Sequence, residues 1–147
     1  LEAPKTSNGG FTATRAVNVK GASRVRLHVV LKQAVGHATA ISPKQCTSAA
    51  AAGAAALTNA CVIWATEDCS ANAAAKTTSA TTYTPGTGAT QMHVVFDIDP
   101  AECMTGGTYS YLGCAIANSS QATNFACIWA EVYSKHQTQT PAASNMA

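Results

Sequence analysis

The chain has 147 residues, of which 11% are charged and 6% aromatic, and a net charge of +2. That is the size of one domain, and its nine Lys and Arg are scattered, without the basic stripe of a nucleic-acid binder. No apolar run reaches the roughly 18 residues that a membrane-spanning helix needs, and low net charge with clear apolar alternation is unlike a disordered chain.

Ala and Thr together make up roughly a third of the sequence. The core is therefore expected to be thin, built from Val, Ile, Leu and a few rings. A free monomer usually carries charge on roughly 25–35% of its surface. So low a charge content points to a surface that neighbours cover.

Residues 1–10 are polar, hold Pro4 and Gly9-Gly10, and read as an N-terminal arm. From 11 to 20, Phe11, Ala13, Arg15, Val17 and Val19 alternate, which predicts a strand. Residues 24–32 give the clearest strand. Val25, Leu27, Val29 and Leu31 share one face, and Arg24, Arg26, His28 and Lys32 take the other, with Val30 among them. Residues 38–45 predict a further strand, but Pro43 lacks an amide donor, which demotes it to an edge or a bulge. The Ala-rich tract 47–57 predicts a short helix, with Ser48 as cap, or a compact loop around Gly53.

A strand is predicted over 61–66, and an irregular one over 77–84 within a Thr-rich stretch. Residues 91–99 place Met92, Val94, Phe96 and Ile98 on one face and His93, Val95, Asp97 and Asp99 on the other. Pro100 ends that strand, and with Asp99 as cap it opens one helical turn to Met104. Strands over 108–118 and 124–133 follow. Residues 135–147 form a second polar arm with Pro141. The whole is an all-β chain of about seven or eight antiparallel strands, a β-sandwich or jelly-roll-like barrel over 11–134 with extended arms.

The chemistry is sparse. The six Cys show no Cys-x-x-Cys or Cys–His zinc spacing. Cys61, Cys114 and Cys127 lie within strands, as small buried hydrophobes do. Cys46, Cys69 and Cys103 lie near segment ends and are better placed to react or to form disulfides. His28, His37, His93 and His136 are far apart in sequence. His28 and His93 become neighbours if their strands pair, but a metal site would still need a third ligand. Asp97-Ile98-Asp99 has the look of a metal motif, yet Asp99 fits a helix cap better. Asn118-Ser119-Ser120 matches a glycosylation sequon. No nucleophile motif, phosphate loop or clustered acid and base occurs, so neither an enzyme nor a cofactor is expected. Core packing is the default for Trp64, Trp129, Tyr111 and Tyr133. Trp129, however, shares its face with Glu131 and Tyr133, and that face reads equally well as an interface.

The order of segments resembles a family of small β-rich virion proteins of tailed bacteriophages. The matching pieces are Val17-Asn18-Val19-Lys20-Gly21 before the strand 25–31, then Gln45-Cys46-Thr47 running into the tract 49–57. His93 to Pro100 with Cys103-Met104 follow, then the strands 109–116 and 127–133. The resemblance spans residues 16–134. It implies a decoration, cement or minor capsid protein on the capsid surface of the virion, with the major capsid protein and copies of itself as partners and no direct contact with nucleic acid or membrane. Strand addition by the arms is the expected mode of attachment. The candidate interface is Phe11, Trp129, Glu131, Tyr133 and Pro141. A tail or neck component and a secreted adhesin or carbohydrate-binding sandwich are the alternatives.

Overall fold

A computed structural model describes residues 2–34, 38–70 and 75–135. His37, His136, Pro141 and the C-terminal arm beyond Lys135 lie outside the described residues. Ten strands and one helical turn follow in order: β1 (Glu2–Thr6), β2 (Val17–Asn18), β3 (Ala22–Lys32), β4 (Ile41–Cys46), β5 (Ala55–Ala56), β6 (Cys61–Thr66), β7 (Lys76–Ala80), β8 (Gln91–Ile98), α1 (Pro100–Cys103), β9 (Tyr111–Ile116) and β10 (Phe125–Ser134). They form two antiparallel sheets, a large one in the order β1-β10-β3-β8-β6-β7 and a small one in the order β2-β9-β4-β5. The all-β sandwich expected from the sequence is therefore present, as two open sheets and not as a closed barrel.

Period-two patterning sets the core. Val25, Leu27, Val29 and Leu31 of β3 meet Met92, Val94, Phe96 and Ile98 of β8, each at 0–1% exposure. Ile63 of β6 and Ile128 of β10 extend that inner face. Ile41, Leu112, Cys114 and Ile116 of the small sheet join the same buried cluster. At about 25 cal/mol per Å² of apolar surface buried, these branched side chains supply most of the drive to close the sandwich.

Several elements differ from their expectation for local reasons. Residues 2–6, expected as an arm, pair as β1 with β10 along the edge of the chain's own large sheet. Ser7 anchors this strand: its amide donates to Asn124 O at 2.9 Å and its buried hydroxyl to Ser119 Oγ at 3.0 Å. Gly10 then passes so close to the β9 end that a Cβ there would stand 2.7 Å from Asn118 N, at a φ of +68° that only glycine adopts freely. The strand expected over 11–20 reduces to a bridge at Phe11 and to β2. The backbone between them lies against the outside of the small sheet, where Ala16 N donates to Ala49 O at 2.8 Å.

The Ala-rich tract takes the loop alternative and forms no helix. Thr47 N bonds Ala52 O, Ala51 adopts φ 55°, and β5 pairs briefly with Lys44 and Gln45. Pro43 sits where its missing donor does no harm. Ile41, two residues before it, exchanges both backbone bonds with Tyr83 on the side away from β9, and Pro43 turns its nitrogen to that same side. The turn after β8 matches its expectation closely. Asp99 Oδ1 accepts from Ala101 N at 2.8 Å, with Pro100 at the first helical position.

Candidate functional site

The outer face of the large sheet is where uncovered side chains and polar chemistry coincide. Among the described residues, seven large hydrophobic side chains are exposed: Val30, Val62, Trp64, Phe125, Trp129, Val132 and Tyr133. All but Val132 point outward from this sheet. The register arranges them in rows across the strands. One row runs Trp129, His28, Val95, Trp64. The next runs Cys127, Val30, His93, Thr66. On the far side lies a row of three charged residues, Glu131, Arg26 and Asp97, that ends on the apolar Val62.

β3 is the axis of the site, because both of its neighbours carry outward-facing rings. Pairing of β3 with β8 brings His28 and His93 together, as the sequence allowed. Their Nδ1 and Nε2 atoms are 3.1 Å apart, and their centroids are 5.3 Å apart at 19°, so the imidazoles meet edge to edge. Trp129 lies nearly parallel to both, 5.0 Å from His28 and 5.7 Å from His93. Glu131 Oε2 approaches His28 Nε2 at 3.6 Å, too far for a hydrogen bond but within ion-pair reach. The same oxygen accepts from the Tyr133 hydroxyl at 2.8 Å. That bond holds the Glu131 carboxyl below its usual range and pushes the phenol up. Burial, and then the charge of His28, lowers the pKa of His93. The pair accommodates one shared proton. A second would set two N–H groups against each other.

Three of the remaining charges are held on the sheet itself. Arg24 grips Asp97 through Nε and Nη2, and the Arg26 guanidinium lies 5.6 Å from the Tyr133 ring centroid. Asp97 and Asp99 therefore serve structure, one in an ion pair and one as a helix cap. Among the described residues, no three His, Cys, Asp or Glu converge as a metal set. A shallow pocket of about 300 Å³ opens beside Arg24, Cys61, Asp97, Glu102 and Cys103. Its thiols are poor nucleophiles, because burial pushes Cys61 up to about 12 and raises Cys103.

The sequence-predicted site residues divide. Trp129, Glu131 and Tyr133 do share one outward face. Phe11 is elsewhere: it bridges Ile116 through its backbone, packs on the core and lies under the Lys5 ammonium at 4.0 Å. Of the three thiols expected to be best placed to react, only Cys69 is exposed. Cys46 and Cys103 are buried, and desolvation raises both. Core packing was the default for Trp64 and Tyr133, but they are 46% and 42% exposed. Val30, Val62 and Phe125 were not named among the interface residues either, and Trp64 is the largest site residue that the sequence reading missed. The signal was its strand parity, since it alternates with Cys61, Ile63 and Ala65, which fill the core. No protein-family model, curated protein or solved structure matches the chain.

Proposed function

We propose that the protein is a structural subunit of a larger assembly, a non-enzymatic β-sandwich that acts by being held against neighbours through the outer face of its large sheet. One observation carries this reading. Val30, Val62, Trp64, Phe125, Trp129 and Tyr133 gather on a single sheet face, where scattered apolar residues would be the ordinary surface pattern. Aromatic enrichment with few unpaired charges is the composition of an interface centre.

The segment order that resembles small phage virion proteins supplies the setting: a decoration or minor capsid protein on the head, with the major capsid protein as its neighbour. Low charge over the whole chain supports the same reading, since a covered surface needs little charge for solubility. Attachment is face-led in this account. β1 already occupies the edge of β10, and Pro4 and Lys5 blunt the new edge it forms. A sugar-binding sandwich is less well supported, because the ring of Trp129 already lies parallel to two imidazoles.

The test is mass spectrometry and cryo-electron microscopy of gradient-purified particles from cells that express the chain and a Trp64→Glu variant. The expected result is wild-type chain in many copies per particle and a clear loss of occupancy for the variant. Wild-type chain absent from particles, or a variant bound as well as wild type, overturns the proposal.

A further inference from the structure

We infer that the outer face of the large sheet docks on the same face of a second copy, giving a two-fold dimer through β10, β3, β8 and β6. This rests on the reading above that the face is a contact surface, and it adds the identity of the first partner.

Size is the first argument. Four strands at about 4.8 Å spacing and about eight residues at ~3.4 Å each give a footprint on the order of 500 Å² in projection. Outstanding side chains enlarge the accessible area, towards the roughly 800 Å² per partner of a standard interface.

The second argument is complementarity of the face with itself. A two-fold axis along the strands, midway between β3 and β8, exchanges β3 with β8 and β10 with β6. Residues that share a row then meet across the interface. Arg26 of one copy lies over Asp97 of the second, and the reciprocal pair repeats it. Trp129 lies over the second copy's Trp64, again twice. Lys32 meets Gln91. Cations concentrate on β3, as Arg24, Arg26 and Lys32, while β8 offers Asp97 and no cation. The swap therefore sets a basic strand against a strand with no positive charge. The centre of the face, from Trp129 through Val30 and Val95 to Trp64, holds no Lys, Arg, Asp or Glu, so no like charges are buried at the axis.

A strongly acidic or basic partner fits less well. The face carries Arg24, Arg26 and Lys32 against Asp97 and Glu131, and Arg24 is already neutralised by Asp97. Such mixed charge suits a self-docking patch better than a one-signed surface.

Sedimentation velocity and light scattering on the full chain test the inference, with Trp64→Glu, Trp129→Glu and Thr87→Glu alongside. Thr87 is exposed in a loop outside the large sheet and serves as the control. Thermal unfolding of each variant checks that it folds. The expected result is a species of twice the 15.0 kDa chain mass for wild type and Thr87→Glu. Both tryptophan variants should be folded, with self-association weakened at least about tenfold, as expected of aromatic anchors. A wild-type monomer at high micromolar concentration overturns the inference, as does a dimer that survives both tryptophan substitutions. If one tryptophan variant fails to fold, the other decides. A monomer that is still found on particles contradicts self-docking alone, and a dimer that is absent from particles contradicts the virion setting alone.

Discussion

The two sheets of the sandwich treat their outer faces differently. The small sheet is covered by its own chain. Its Gly113 lies so close to the strap of residues 12–16 that a Cβ there would stand 2.8 Å from Ala13 Cβ and 3.3 Å from Arg15 O. Beneath that strap Cys46 is fully buried although it points away from the central core. Among the described residues no such strap crosses the large sheet, and rings and valines are exposed on it. Among the described residues, the chain covers the outer face of the small sheet at Gly113 and Cys46 and leaves that of the large sheet open. This contrast is the ground for the proposal that a second copy covers the large sheet.

Substitutions can break or sharpen the contrast. The largest effect is expected inside, at β3. Val29 and Val30 are neighbours in the chain, at 0% and 42% exposure. Val29→Ala should cost about 2 kcal/mol in chemical denaturation, from lost burial plus the residual cavity. Next comes the covered outer face. Gly113→Ala should cost about 1–2 kcal/mol, because the new methyl group must displace the strap. A neutral result there would show that the strap is not packed as described.

A smaller effect is expected from pH. Burial makes the folded state hold His93 neutral below the ordinary histidine value of 6.5. Above 6.5 both states are neutral and pH has no hold. Below it the unfolded chain takes the proton first, so stability falls as pH drops from 6.5 through the depressed pKa. The groups facing His93 are His28 and Val30 of β3, Trp129 of β10 and Thr66 of β6, with Gln91 and Val95 on its own strand. The nearest carboxylate, Glu131, lies 3.6 Å from Nε2 of His28, on the side of that ring away from His93, so it does not face His93 itself. Calorimetry should record a small fall in Tm between pH 7 and 5, reduced in His93→Gln. A rise in Tm over that interval would contradict the account. The smallest stability effect belongs to the bare face: Val30→Ala should change stability by less than about 0.5 kcal/mol.

Much of this was legible in the sequence, for a physical reason. Strands buried on one face write their period into the chain, and β3, β6, β8 and β10 all lie where alternation places them. Asp99 and Pro100 announce α1 through cap chemistry. The adjacency of His28 and His93 was readable as a condition on strand pairing, which only the register could satisfy.

Other features were hidden because they depend on what covers what. Residues 11–19 alternate as a strand does, yet they run outside the small sheet and pair only at Phe11 and β2. Cys46 reads as an accessible segment end until that strap is placed over it. Trp64 reads as core because it is large and apolar. Its parity puts it outside, and burial bias and parity point in opposite directions wherever a sheet keeps an apolar outer face.

Both tryptophans of the chain, Trp64 and Trp129, lie on the bare face, which makes their fluorescence a direct report on the central claim. Emission and acrylamide quenching should be measured across a concentration series and on isolated particles. The account predicts red-shifted, readily quenched emission in the dilute free chain, moving to blue-shifted, protected emission as the face is covered. Emission and quenching that stay those of exposed indoles on assembled material would contradict it.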